Sequence, residues 1–187
     1  MRSSTSGFVF GCALPEPDVP HFGDFVLAPA QRGQADVVGL VYDIVVQDDA
    51  FVRPLVAAAG GVPDEYIEDQ RVNRQVPVEV SVVTVGFRAN GGFEQGLPPQ
   101  PPVTLDKIRV CPAEDLLAFT EQLDFLRLVI DSQEAPGEEL AVAALRAAID
   151  CRPAQNQLQF RRAAGRALAK LLGRDLPRLE RMLRRLQ

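Results

Sequence analysis

The chain contains no run approaching the roughly 18 apolar residues that a bilayer-spanning helix needs, so no membrane contact is expected. Its short apolar opening, Phe8 to Leu14, is broken by Pro15 and Pro17 and reads as a first strand, not as a signal peptide. Cysteine is scarce: Cys12, Cys111 and Cys151 are odd in number and far apart in sequence. That spacing makes neither a disulfide framework nor a zinc site, suits a reducing cytoplasm, and predicts a cytoplasmic protein with three small buried thiols. The only histidine, His21, has no His or Cys neighbour with which to share a metal. It reads as a loop or core residue in preference to a general base or ligand.

The phosphate-binding, dinucleotide-binding and nucleophile-elbow glycine patterns are all missing. Carboxylates are plentiful, as in Asp48-Asp49 and in Asp64-Glu65 with Glu68-Asp69. The first pair suits a helix cap better than a divalent-cation site, and the second group reads as a solvated loop in preference to an acidic interaction surface. Catalysis needs positioned acid, base or nucleophile groups, and no such set is visible. No catalytic, cofactor-binding or metal-binding residues are therefore assigned, and a non-enzymatic protein without cofactors is expected.

What remains is a chain of 187 residues, 47% hydrophobic, enough to build a substantial core. Its net charge of −5 is unevenly spread. Residues 152–187 carry ten Lys/Arg against two Asp/Glu, a net of +8, while residues 1–151 carry a net of −13. An acidic body with a basic tail points to a charged partner.

The first 111 residues read as a β-domain. Strands are predicted at 8–14, 24–29, 36–46, 78–85, 93–95 and 106–110. In the fourth, Val78, Val80 and Val82 alternate with Glu79, Ser81 and Val83. Gln31-Arg32-Gly33-Gln34 and Asn90-Gly91 supply hairpin connections. Between strands, 49–60 reads as a short helix with Asp49 as its cap, and 61–76 as a polar loop. Leu97-Pro98-Pro99-Gln100-Pro101-Pro102 reads as a stiff connector in preference to a polyproline ligand for an SH3-like partner.

Residues 112–187 change to a helical period. One helix is predicted over about 112–131, with Leu116, Phe119, Leu123, Leu126 and Ile130 in one stripe and Leu117, Phe125 and Leu128 on another side. A helix apolar on two sides must be covered on two sides, by later helices or by another subunit. Leu117, Phe125 and Leu128 are therefore the candidate protein interface. Further helices are predicted over 138–150, 153–172 and 176–186, bounded by Pro136-Gly137, Arg152-Pro153, Gly173, Asp175 and Pro177. Phe160, Ala164, Ala167, Leu168 and Leu171 face inward on the third, as do Leu176, Leu179, Leu183 and Leu186 on the fourth. Arg162, Arg166 and Lys170, with Arg178, Arg181 and Arg185, line the outer faces as candidate contacts for nucleic acid or an acidic partner.

The β-rich part resembles the HAS-barrel family, the N-terminal barrel shared by HerA-type DNA translocases and rotary ATP synthases. The resemblance covers about residues 6–112 and rests on the order of several segments: Gly7-Phe8-Val9-Phe10-Gly11, Phe22-Gly23-Asp24-Phe25-Val26, Val38-Gly39-Leu40-Val41-Tyr42-Asp43-Ile44 followed by Asp48-Asp49, Pro77-Val78-Glu79-Val80, Gly86, Gly91-Gly92 and the prolines at 98–102. It is also similar to stand-alone members that continue into a helix such as Phe119 to Leu128. The resemblance implies a small closed six-stranded barrel and, with the helical bundle after it, an α+β chain divided into 1–111 and 112–187. It implies a translocase or nuclease partner, but the ATP-binding motor that follows the barrel in HerA has no counterpart here. The expected role is thus a non-catalytic adaptor or assembly module working through protein contacts or self-association. The alternative is a nucleic-acid-binding accessory protein that uses the basic helices.

Overall fold

A computed structural model describes residues 2–14, 20–30, 33–46, 76–103 and 107–186. Within them lie the strands β1 (Gly7–Leu14), β2 (Phe25–Ala30), β3 (Ala35–Val46), β4 (Val76–Ala89), β5 (Gly92–Glu94) and β6 (Arg109–Val110). The helices are α1 (Ala113–Phe119), α2 (Phe125–Ile130), α3 (Gly137–Asp150), α4 (Ala154–Leu172) and α5 (Leu176–Arg185). The expected helix at 49–60, the carboxylates at 48–49 and 64–69, and most of the loop to residue 76 lie outside the described residues.

The strands form one antiparallel sheet in the order β1-β4-β3-β2-β6, with β5 folded back on β4. Its tightest hairpin is the one that Asn90-Gly91 signals. Asn90 has φ 54° and Gly91 φ 80°, and Ala89 pairs with Gly92 across them. The sheet is open, which corrects the closed barrel expected from the sequence; the α+β class stands. Among the described residues β1 pairs only with β4, and β6 only with β2. The physical reason lies in the last strand, where, among the described residues, only Arg109 and Val110 join the ladder. Pro98, Pro99, Pro101 and Pro102 ahead of it have no N–H to donate. In place of a closing ladder, Pro102 makes an isolated bridge to Ala30, and its carbonyl accepts the Ser3 hydroxyl at 2.8 Å.

Both sheet faces are covered, and the period of two sorts the side chains between them. Phe8, Val26, Val37, Val41, Val80 and Val82 build one cluster, while Phe25, Leu27, Val38, Leu40, Val83 and Val85 face the helices. The helical half therefore shares its core with the sheet: Phe119, Phe125, Leu140, Leu145 and Leu168 belong to that second cluster. At Gly86 an added Cβ would lie 2.6 Å from the Phe119 ring and 2.5 Å from the Glu94 carbonyl oxygen, so the missing side chain is the seat of Phe119.

The single helix expected over 112–131 is two short ones, separated at Thr120–Asp124. Phe119 and Phe125 lie six residues apart, about 600° of turn on a continuous helix, and would point to different sides. The break brings both to one place, with ring centroids 5.5 Å apart and both rings against Phe25. The Thr120 hydroxyl donates to the Leu116 carbonyl at 2.6 Å, a local bond that competes with helix continuation. Part of the surplus apolar side is thereby absorbed inside the chain. Phe125 is fully buried and presents nothing to a partner, which corrects its place in the candidate interface, while Leu117 and Leu128 are half-buried.

A charged clamp ties α1 to the sheet. Arg88 on β4 reaches Asp36 on β3 at 2.5 Å and Asp115 on α1 at 2.8 Å, and Arg109 reaches the same Asp36 at 3.2 Å. The hydrogen bond to Asp36 is the main cause that raises the Arg88 pKa, against the opposing effect of burial.

Candidate functional site

α4 begins after Pro153 and keeps a buried seam at four-residue spacing, Phe160, Ala164, Leu168 and Leu172. Ala167 and Leu171, expected with them, are half-buried beside that seam. The helix carries Arg161, Arg162, Arg166 and Lys170 and not one carboxylate. Arg162, Arg166 and Lys170 all lie on its exposed side.

Three of the four basic residues of α5 have another fate. Arg178 and Arg181 both approach Glu138 on α3, at 2.8 and 3.5 Å, and Arg185 meets Glu139 at 2.5 Å. Hydrogen bonding is the leading cause that lowers the Glu139 pKa and raises that of Arg185. Half of the predicted contact set is thus engaged in docking α5 on α3. Leu179, Met182 and Leu186 are buried in the shared core, whereas Leu176, expected to point inward, is 62% exposed. Met182 went unread because the leucine spacing alone accounted for an inward face.

The α4 cations border a cleft of about 470 Å³. Leu123, Ala163, Ala167 and Leu171 make its apolar lining. Arg166 and Lys170 stand on the α4 side, and Glu121, Asp124 and Arg127 on the side of the α1–α2 turn. These five charged groups form no ion pair within 4 Å among the described residues, although opposite signs face each other. Arg162 lies nearer the start of α4 and is not among the residues that line the cleft.

The acidic wall is held by partners from two directions. Gln95, just past β5, donates its amide to the carbonyls of Phe119 (2.7 Å) and Gln122 (2.9 Å) and accepts the Phe125 N–H (2.8 Å). Arg152, between α3 and α4, donates to the Thr120 carbonyl, to its hydroxyl and to the Ala148 carbonyl, with its guanidinium 3.5 Å from the Phe160 ring centre. Burial is the main cause that lowers the Arg152 pKa, yet the face of the ring favours a cation. The turn that carries Glu121 and Asp124 is therefore preformed. Sequence reading missed these two residues because it placed them inside a continuous helix; the Thr120 hydroxyl was the one local signal of a break.

His21 sits exposed in the turn before β2, 3.4 Å from Asp24. Among the described residues no three His, Cys, Asp or Glu side chains gather as a metal site. Cys111 is buried, and desolvation, followed by the nearby Asp115, pushes its thiol up to about 12. Half-buried Cys151 donates to the Ala113 carbonyl at 3.4 Å. Iodoacetamide at neutral pH is expected to label Cys151 in the folded protein and Cys111 only after denaturation. Equal labelling rates, read by peptide mass spectrometry, would contradict this packing. No helix among the described residues is long and apolar enough to cross a membrane.

No protein-family model matches this chain, and no curated protein matches it.

Proposed function

We propose that the protein is a non-catalytic adaptor that holds an acidic partner protein on the outer face of α4. One observation carries the reading. Arg162, Arg166 and Lys170 are exposed on a helix without carboxylates and unengaged by ion pairs, while Glu138 and Glu139 engage Arg178, Arg181 and Arg185 of α5. Complementary charge of this kind steers association and selects partners more than it adds raw affinity. The sequence resemblance adds a translocase or nuclease as the class of partner within the same proposal.

Lysine usage makes the test clean, because Lys107 and Lys170 are the only two lysines. Amine-reactive cross-linking of the native complex is expected to join Lys170 to the partner, with Lys107 as the internal control. Reversing Arg162, Arg166 and Lys170 together to Glu is expected to weaken the complex at least about tenfold, roughly 1.4 kcal/mol. Partner retention that ignores this triple change would sink the reading.

A nucleic-acid-binding role is the second reading, favoured by the same run of cations at i, i+4 and i+8. Against it stand Glu121 and Asp124 beside the cations and the burial of Phe160, which leaves no aromatic on that face for base stacking. Salt-dependent DNA or RNA binding abolished by the triple reversal would replace the adaptor reading with this one.

A further inference from the structure

From the two walls of the cleft we infer its ligand: a helical segment of a partner protein with an apolar seam between an acidic edge and a basic edge. The inference rests on the adaptor reading and adds the chemistry of the bound element.

Arg166 and Lys170 are one helical turn apart, a rise of about 6 Å, so carboxylates one turn apart on a helix lying alongside α4 meet both. Ala163 and Ala167, in the cleft lining, repeat the same spacing beside the cations. Their small side chains permit the close end of the roughly 8–10 Å range of helix packing distances. Leu123 and Leu171 offer apolar surface to the incoming seam.

Across the cleft, Glu121 and Asp124 outnumber Arg127, so that wall repels an element that is acidic on both edges and attracts one with Lys or Arg opposite the two carboxylates. Repulsion of wrong orientations is a recognised source of specificity. The absence of cross-cleft ion pairs among the described residues leaves both walls available, and Gln95 and Arg152 hold the acidic wall in place beforehand. A preformed wall avoids the ordering cost that a mobile one would impose on binding.

The volume fits this occupant. About 470 Å³ falls within the roughly 300–1,000 Å³ of ligand clefts, room for a few anchoring side chains rather than for a folded domain. Apolar anchors at i and i+4 on an amphipathic helix are the usual way such grooves are read.

The experiment selects helical peptides of random sequence from a display library on the full-length protein. It then measures the recovered peptides by fluorescence anisotropy. Recovered sequences are expected to show apolar residues at i and i+4, Asp or Glu one turn apart on one edge and Lys or Arg on the other. Ala163→Trp, which fills the cleft without changing charge, is expected to weaken them at least tenfold. Arg166→Glu with Lys170→Glu is expected to weaken them similarly, while a fold check by circular dichroism stays unchanged. Failure to select any peptide overturns the inference, as do peptides without acidic positions or peptides indifferent to both variants. So does a cleft that binds single-stranded DNA in an Ala163→Trp-sensitive way in place of peptides. The Lys170 cross-link in the native complex is read independently, so loss of the helix ligand and loss of the adaptor reading are distinguishable.

Discussion

Replacing Phe119 with alanine is expected to lower the unfolding free energy by about 3–5 kcal/mol, a large part of the roughly 5–15 kcal/mol that holds a typical domain. Phe119 is 1% exposed and lies where sheet and helices meet. Its ring contacts Phe25 at 5.9 Å and Phe93 at 5.7 Å edge-on, and Phe125 at 5.5 Å. Such aromatic pairs contribute about 0.5–1.5 kcal/mol each beyond area burial. The floor under the ring is the backbone at Gly86, which cannot move up to fill the gap because Glu94 is paired beside it. Urea denaturation followed by circular dichroism gives the loss directly. A drop below about 1 kcal/mol would mean that the aromatic cluster is not the joint between the two halves. A second outcome is tied to the same contact. Gly86→Ala alone places a methyl against the Phe119 ring and the Glu94 oxygen and costs about 1–3 kcal/mol. Combined with Phe119→Ala, only the clash with Glu94 remains, so the two losses are expected to fall short of additivity by about 0.5 kcal/mol or more.

The parts of the fold that local chemistry decides were legible in the sequence. Val78, Val80 and Val82 alternate as a strand must, and Asn90-Gly91 names its own turn. Pro136, Pro153 and Asp175 mark the starts of α3, α4 and α5, where each stands at the N-cap; the Asp175 side chain accepts the Arg178 N–H. The parts decided at a distance were not. Closure of a barrel depends on whether the first and last strands reach one another, and the prolines at 98–102 argue against a full last strand only once the pairing is in view. The break at residue 120 depends on Gln95, whose bonds reach 24 to 30 residues along the chain, and on Arg152, 32 residues downstream of Thr120. Neither partner has a helical or strand period to announce it.

The candidate site divides in the same way. Spacing alone placed Arg162, Arg166 and Lys170 on one face of α4, and the helix geometry leaves little choice there. Which cations stay available is a tertiary question, answered by Glu138 and Glu139 on α3, which engage Arg178, Arg181 and Arg185. The cleft itself follows from the break: a continuous helix over 112–131 would have spread Glu121, Asp124 and Arg127 along its length without a turn to set against α4.

Gln95 is therefore the residue whose replacement is expected to have the second large effect. Gln95→Leu keeps the approximate size but leaves the Phe119 carbonyl and the Phe125 N–H without their partner, in the region where both phenylalanine side chains are buried. A fully buried unsatisfied group costs about 1–3 kcal/mol; these two are half-buried, so a combined loss of about 1–3 kcal/mol is expected by urea denaturation. Gln95→Glu separates the two functions of the amide. Its carboxylate can still accept the Phe125 N–H, but it has no proton for the carbonyls of Phe119 and Gln122, which then face a negative charge. Placing that charge against two carbonyl oxygens favours the protonated acid, so the folded-state pKa of the introduced Glu is raised above its unfolded value of about 4.3. The sign follows from proton uptake. Between the two pKa values the folded state binds more protons than the unfolded one, so the handicap is greatest above the folded pKa and is relieved as pH falls towards the unfolded pKa. The Glu variant is thus expected to recover stability relative to Gln95→Leu on going from pH 7 to pH 5. A gap between the two variants that stays constant over that window would mean that Gln95 does not hold the break by donating to the carbonyls, and that the acidic wall of the cleft is set by Arg152 and the aromatic cluster alone.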